Sequence, residues 1–253
     1  MPGSSWPKRC LEAFVGLLYP RVCPVCDEAL EGAGAFCRDC RSRMEPVGSP
    51  TCERCGEIFE GDLEGSSLPQ CPNCRGRELH FEFALAGFRA RGAVRELVHR
   101  FKYRGELHLR GALGELMEEA FLRDRLVAAT ASGDWILVPV PMHRRRRRQR
   151  EFNQAQELVR ELSRRRALPW APALRRLRDT PRQARLDRAQ RLRNLEGAFA
   201  MTRRRGVRDR VRGAGVLLVD DVLTTGATAN LCARVLREEG GAREVVVVTL
   251  ARG

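Results

Sequence analysis

The chain has 253 residues, of which 43% are hydrophobic, so it can form one large domain or two modest ones. Its 46 basic and 32 acidic residues give a formal net charge of +14, which favours polyanionic partners such as nucleic acids, nucleotides or acidic membrane surfaces. No apolar run reaches the roughly 18 residues of a membrane-spanning helix, so no membrane span is predicted.

The first predicted element is a short packing helix in the apolar patch Leu11–Tyr19. The patch contains Glu12, and no small-residue cleavage site follows it, so we interpret it as a helix rather than a signal peptide. We therefore expect a cytoplasmic protein whose thiols stay reduced.

Eight of the ten cysteines lie between Cys23 and Cys74, in a Gly- and Pro-rich region that cannot build much apolar core. They form four Cys-x2-Cys pairs: Cys23 and Cys26, Cys37 and Cys40, Cys52 and Cys55, Cys71 and Cys74. Two such pairs supply four thiolates, so we predict two structural Zn²⁺ sites. We favour sequential pairing, but interleaved pairing satisfies the same spacing. The alternatives to zinc are free structural thiols or, in an exported protein, disulfides. Cys232, on a predicted helix, is expected to be a buried small side chain.

After residue 80 apolar strands alternate with amphipathic helices, which indicates an α/β fold with a parallel sheet. The predicted strands are Phe83–Phe88, Trp135–Val140, Val216–Val219 and Glu244–Leu250. The predicted helices are Ala93–Tyr103, Leu107–Ala128, Asn153–Arg166 and Thr228–Glu239. We expect the Arg-rich, poorly periodic stretch from Leu168 to Gly213 to be irregular or mobile.

The strand Val216–Val219 runs into two carboxylates, Asp220 and Asp221, and then into a small-residue loop before the next helix. The residues of this phosphate loop are Thr224, Thr225, Gly226, Ala227 and Thr228. Backbone N–H groups and threonine hydroxyls at a helix N-terminus suit a phosphate, whereas ionised carboxylates accept hydrogen bonds from ribose hydroxyls. The loop lacks the Gly-Lys-Ser/Thr ending of a Walker motif, and an ordinary capped turn is the alternative.

Three further features favour an anion site beside this loop. Lys102 is one of two lysines in an Arg-dominated chain and could act as a point charge towards pyrophosphate. The turn Val138–Met142, which contains Pro141, could face the pyrophosphate or could simply end a strand. The run Arg144–Arg148 could contact a polyanion or form a solvated face, and it contains no aromatic residue for base stacking.

The phosphate loop resembles the ribose-phosphate signature of type I phosphoribosyltransferases. Together with other ordered motifs, it resembles the ComF/GntX family over nearly the whole chain. Those motifs are Lys102-Tyr103-Arg104-Gly105, Val138-Pro139-Val140-Pro141, Phe152-Asn153-Gln154, Thr180-x2-Gln183 and Arg191-x2-Asn194-x2-Gly197-Ala198-Phe199. One departure is visible: the family's Arg-Gly-Phe-Asn-Gln reads Arg150-Glu151-Phe152-Asn153-Gln154 here. Glu in place of Gly puts in doubt a positive φ at that point.

The resemblance implies a phosphoribosyltransferase-like parallel sheet with helices on both faces, preceded by a small zinc-ribbon domain. We expect residues 1–80 to hold the short helix and a double zinc ribbon, and residues 81–253 to form the phosphoribosyltransferase-like domain. The implied ligand is phosphoribosyl pyrophosphate with Mg²⁺, and the implied role is DNA uptake during natural transformation. Candidate partners are single-stranded DNA and a DNA-uptake helicase or other competence protein.

The sequence leaves three functional hypotheses open. The protein could be a phosphoribosyltransferase, and so a glycosyltransferase, for which the motifs identify neither the acceptor nor a catalytic residue. It could instead be a non-catalytic protein that senses phosphoribosyl pyrophosphate or binds single-stranded DNA. The loop could also persist as a scaffold that binds nothing.

Overall fold

The computed structural model describes residues 21–30, 32–60, 71–131, 133–179 and 197–253. The predicted helix at Leu11–Tyr19 and the motif residues from Thr180 to Asn194 lie outside these ranges.

The described residues form helices that are numbered here in chain order. They are α1 (Arg38–Ser42), α2 (Gly92–Tyr103), α3 (Arg110–Phe121), α4 (Asp124–Thr130), α5 (Arg144–Arg150), α6 (Gln154–Arg166), α7 (Arg205–Val211) and α8 (Ala227–Glu238). The strands are β1 (Ala84–Arg89), β2 (Trp135–Pro139), β3 (Leu174–Arg176), β4 (Phe199–Met201), β5 (Gly215–Leu223) and β6 (Glu244–Arg252).

Four strands form a parallel sheet in the order β1-β6-β5-β2. The central strands β5 and β6 each contain a continuous apolar run, residues 216–219 and 245–248, as expected when both faces of a parallel sheet are covered. The short strands β3 and β4 pair with each other in an antiparallel arrangement outside this sheet.

Side chains of β5 alternate between two cores because successive residues of a strand point to opposite faces. Leu217 packs in one core with Leu113 of α3 and Leu158 of α6. Leu218 packs in the other with Leu236 of α8. The predicted parallel sheet with helices on both faces is therefore confirmed.

The first cysteine-rich segment packs on α3 and adds to the core beneath it. The N–H of Ala35 donates to both carboxylate oxygens of Glu115, at 3.2 and 3.0 Å. Arg41 forms an ion pair of 3.0 Å with Glu119. Buried Cys23 belongs to the same hydrophobic cluster as α2 and α3. The predicted boundary between residues 80 and 81 stays a prediction.

The predicted helix Leu107–Ala128 is wrong, because this stretch is a 3₁₀ turn (Leu107–Leu109) followed by α3 and α4. The break falls at Arg123, whose ψ of 125° is extended. The Arg123 guanidinium donates to the backbone carbonyl of Val47, a contact far away in sequence. No Gly or Pro marks the position, so the break depends on tertiary structure.

The expectation of an irregular stretch from Leu168 to Gly213 is also wrong for its described part, which contains β3, β4 and α7. Leu174 and Phe199 are buried there, so two short apolar segments suffice for these strands. In the described part of the chain, no helix is both long and apolar enough to cross a membrane.

Candidate functional site

The candidate site lies where β5 extends beyond β2. The last pair in register between these strands joins Pro139 to Val219. Strand β5 continues to Leu223 and pairs there only with β6. Asp220 and Asp221 therefore lie inside β5, past the end of its neighbour, rather than after a strand ending at Val219. Ligands of parallel α/β sheets bind in crevices at such carboxyl ends.

Asp221 is held by a lysine from α2. Lys102 Nζ lies 2.7 Å from Asp221 Oδ1, and the side chains are 18% and 10% exposed. The same oxygen accepts the N–H of Val222 at 2.7 Å. Lys102, which we predicted to be a site residue, thus lies beside the carboxyl end of β5. Its partner in this structure is the carboxylate of Asp221.

The surroundings of the Asp220 carboxyl favour its neutral form. Burial, and after it the charge of Asp221, raise the pKa of the Asp220 carboxyl to about 7, against the opposing charge of Lys102. Asp220 Oδ1 accepts the N–H of Asp221 at 2.9 Å. Near neutral pH this carboxyl changes between its neutral and ionised forms. Small changes in its surroundings therefore alter whether it can donate a hydrogen bond or only accept one.

The phosphate loop leads from β5 into α8. Gly226 is the N-cap of α8 with φ 70°, a conformation that favours glycine, and Thr225 Oγ1 accepts the N–H of Ala227 at 3.4 Å. Among the described residues, no hydrogen bond is donated by the N–H groups of Thr224, Thr225 or Gly226. Free N–H groups and the positive end of a helix dipole suit an anion.

The opposite wall of the cleft begins where β2 ends. The N–H of Val140 donates to the carbonyl of Val219 at 2.9 Å, and Asn153 Nδ2 donates to the carbonyl of Val140 at 3.1 Å. These bonds fix the turn that carries Pro141. A cleft of about 630 Å³ lies between the walls. Of the predicted site residues, it is lined by Lys102, Pro141, Asp220, Asp221, Thr224 and Thr228, but not by Thr225, Gly226 or Ala227.

Four arginines outside the predicted phosphate-site residues also line the cleft: Arg95, Arg146, Arg150 and Arg176. The Arg150 guanidinium lies 4.8 Å from the ring centre of Tyr103. Burial lowers the pKa of Arg150, while the charges of Asp221 and Asp220 raise it. In a chain so rich in arginine, composition cannot distinguish these four from the rest.

Glu151, the departure from the family's motif, has φ 66° and ψ −32°. The backbone conformation that favours Gly is therefore present despite the side chain. Glu151 lies in the turn between α5 and α6. The conformation of this turn therefore sets the orientation of the two helices, both of which contribute residues to the cleft.

The eight cysteines form two clusters, Cys23, Cys26, Cys37 and Cys40, and Cys52, Cys55, Cys71 and Cys74. The sulfur atoms within each cluster lie within 4.8 Å of one another. Four thiolates in this arrangement fit tetrahedral zinc, and the grouping is the sequential one. Cys232 is fully buried, as predicted, and burial raises its pKa well above the usual value.

A second groove, the arginine groove, adjoins the cleft and has a volume of about 810 Å³. The arginines that line it are Arg144, Arg147, Arg175, Arg176, Arg203 and Arg204, and no Asp or Glu is among its described lining residues. Helix α5 divides the arginine run between the two sites. Arg146 faces the cleft, Arg144 and Arg147 face the groove, and exposed Arg145 and Arg148 line neither.

These features define an α/β protein with an N-terminal double zinc ribbon and a candidate anion-binding cleft. The family model of the double zinc ribbon domain matches residues 14–75. The chain is 30% identical over 228 residues to the DNA utilization protein YhgH of Escherichia coli strain K12, covering 89% of this chain and 95% of that protein. The chain therefore belongs to the ComF family of competence and DNA utilization proteins.

Two other relatives agree with this assignment. The competence protein ComFC of Bacillus subtilis strain 168 is 26% identical over 255 residues, covering 94% of this chain and 97% of that protein. Competence protein F of Haemophilus influenzae is 28% identical over 218 residues, with 86% and 90% covered.

Similar solved structures come from phosphoribosyl pyrophosphate enzymes, of which this chain covers a third or less. Glutamine phosphoribosylpyrophosphate amidotransferase from B. subtilis, complexed with ADP and GMP, is 20% identical with a TM-score of 0.34, covering 56% of this chain and 26% of that one. Phosphoribosylpyrophosphate synthetase from Mycobacterium smegmatis is 17% identical with a TM-score of 0.29, covering 56% and 33%.

Proposed function

We propose that the chain binds phosphoribosyl pyrophosphate in the cleft and acts in DNA uptake or DNA use. The observation that carries this proposal is the order of groups at the carboxyl end of β5. Two carboxylates, Asp220 and Asp221, are followed two residues later by a loop with free N–H groups at the start of α8. The 5-phosphate fits the loop and the ribose hydroxyls fit the carboxylates. The names of the relatives support the role in competence and DNA utilization.

The pyrophosphate end of the ligand has cationic groups available on the other wall. Lys102 can exchange Asp221 for a phosphate oxygen when the ligand fills the cleft, and Arg150 adds a planar donor. Buried Gln154 also lines the cleft, and its Nε2 has no hydrogen-bond partner within the described ranges. Carboxylate oxygens are ligands that Mg²⁺ prefers, so the Asp pair fits a magnesium ion carried by the substrate.

Isothermal titration calorimetry with magnesium phosphoribosyl pyrophosphate tests the proposal. Wild-type protein should bind, and the variant Asp220→Asn/Asp221→Asn should bind at least about tenfold more weakly, because amides are poorer acceptors for two ribose hydroxyls. Asp209→Asn is the control, since it removes one negative charge from an exposed position on α7. Absence of binding by the wild-type protein would contradict the proposal.

Transferase activity is a separate question from binding. Transfer would break the bond between the anomeric carbon and the pyrophosphate oxygen while the acceptor forms a new bond to that carbon. Catalysis by this site would consist mainly of positioning and of cationic stabilisation of the leaving pyrophosphate. The test is pyrophosphate release with candidate bases as acceptors. Release no faster than that of Asp220→Asn/Asp221→Asn would favour a sensor.

The arginine groove favours single-stranded DNA binding as a second candidate function. Its six arginines line one channel without a described Asp or Glu in the lining, so the charged groups that phosphodiesters would meet there are basic. The shared wall of Pro141, Met142, Asn153 and Arg176 makes the groove continuous with the cleft.

The positions of arginines on α5 give a matched test by fluorescence anisotropy with a labelled oligonucleotide. Arg144→Gln/Arg147→Gln should weaken binding and lower its salt dependence, because both residues line the groove. Arg145→Gln/Arg148→Gln removes the same charge from positions outside it. Equal effects of the two double variants would mean that only net charge matters.

A further inference from the structure

The second cysteine cluster lies behind the phosphate loop, and arginines connect the two. Arg252 is 4% exposed, and its Nη1 donates to the carbonyl of Leu223 at 2.8 Å and also to that of Thr224. Arg77 Nη1 donates to the carbonyl of Thr225 at 2.7 Å. Three successive carbonyls, one at the end of β5 and two in the loop, are therefore bound by guanidinium groups.

Each arginine is held by one knuckle of that cluster. The first knuckle, the turn that contains Cys52 and Cys55, is followed by Gly56 and Glu57. Arg252 Nε donates to the Gly56 carbonyl at 3.2 Å, and Arg252 Nη2 pairs with the Glu57 carboxylate. The N–H of Cys52 donates to the Glu57 carbonyl at 2.8 Å, which fixes the knuckle itself.

The second knuckle, which contains Cys71 and Cys74, places Arg77. The N–H of Arg77 donates to the Cys74 carbonyl at 3.0 Å. Arg77 Nη1 also donates to the carbonyl and the Oδ1 of Asn73, at 3.1 and 3.2 Å. Asn73 Nδ2 lies 3.7 Å from the sulfur of Cys55. The position of the Arg77 guanidinium thus depends on the fold around all four sulfur atoms.

Because peptide groups are planar and trans, the direction of each bound carbonyl also fixes the direction of the next residue's N–H group. The C=O of one residue and the N–H of the next point in opposite directions. With the carbonyls of Leu223, Thr224 and Thr225 turned to the arginines, the N–H groups of Thr224, Thr225 and Gly226 point away from them. These are the N–H groups that donate to no described residue.

We infer that Arg77 and Arg252 are positioning residues through which the second cysteine cluster holds the phosphate loop in its anion-binding conformation. This inference rests on the proposed function, because it assumes that the loop binds the ligand's phosphate. The four thiolates fit a structural zinc ion, so loading of this cluster and order of the loop are coupled.

Arg77 is the residue to change, because it is only half-buried whereas Arg252 lies in the interior. In zinc-loaded full-length protein, Arg77→Met should weaken magnesium phosphoribosyl pyrophosphate binding about tenfold and speed amide exchange of residues 224–228 by a similar factor. Arg77→Lys retains a donor for the Thr225 carbonyl and should restore most of both properties.

Arg237→Met is the matched control. Arg237 also joins α8 to the segment after the ribbon, through a 2.7 Å ion pair with Glu82, but it does not touch the loop. This variant should bind and exchange like the wild type. Zinc content, measured by mass spectrometry, should be unchanged in all variants, which separates positioning from loss of metal.

The two readouts distinguish this inference from the proposed function. If wild-type protein does not bind phosphoribosyl pyrophosphate, the proposed function is wrong, and exchange of the loop amides alone decides the role of Arg77. If Arg77→Met leaves amide exchange of residues 224–228 at the wild-type rate, the inference is overturned whether or not the ligand binds.

Discussion

Lys102 and Asp221 form a 2.7 Å ion pair between α2 and β5, with side chains 18% and 10% exposed. Lys102→Met should lower the free energy of unfolding by about 2–3 kcal/mol, because it leaves the Asp221 carboxylate buried beside Asp220 without its cation. Urea denaturation of the two proteins measures the difference. Adding Asp221→Asn to Lys102→Met should recover much of the loss, whereas strictly additive effects would mean that the pair is not coupled.

Asp220 should make stability depend on pH in an unusual direction for a carboxyl group. Burial, first of all, raises its pKa from 3.8 to about 7, so between these values the folded protein keeps a proton that the unfolded chain has lost. The contribution of Asp220 to the free energy of unfolding therefore falls as pH rises from about 4 to about 7, and it stays low above pH 7.

Urea denaturation at pH 5 and pH 8 tests this sign. Relative to the wild type, Asp220→Asn should have a higher free energy of unfolding at pH 8 than at pH 5. Asp209→Asn, at an exposed position, should show no such shift. If the free energies of unfolding of Asp220→Asn and wild type differ by the same amount at both pH values, the raised pKa of Asp220 is contradicted.

Zinc content should follow the two cysteine clusters independently. Wild-type protein should bind two zinc ions per chain, as expected from two groups of four sulfur atoms. Cys26→Ser and Cys74→Ser should each reduce this number to one, because each removes a ligand from a different cluster. Cys232→Ala should keep both ions, since Cys232 is buried among apolar residues of α8 and β5. Loss of both ions from either single ligand variant would show that the clusters are not independent.

How much of this structure could be predicted depends on how local each feature is. The strands β5 and β6 were predictable because their apolar runs are contiguous, and the phosphate loop because Asp220, Asp221 and the threonines are adjacent in sequence. Even so, β5 continues four residues past Val219, since its pairing with β6 does not end with the apolar run.

Features made by distant residues could not be predicted. Arg176 reaches the cleft from β3, and Arg252 joins the loop to Gly56, which lies 196 residues away along the chain. Among so many arginines, neither has a local pattern that sets it apart. The end of α3 is similar, because Arg123 leaves the helix where its side chain meets Val47.

Glu151 should be strained by its backbone conformation, with φ 66° and ψ −32°. A residue with a Cβ pays about 1 kcal/mol or more there, and Gly does not, although Gly also gains freedom in the unfolded chain. Glu151→Gly should therefore raise the free energy of unfolding by about 0.5–1 kcal/mol in urea denaturation. Glu151→Ala removes the same charge but keeps the Cβ, so it should give little or no gain. Equal stabilisation by Ala and Gly would trace the effect to charge instead of the turn between α5 and α6.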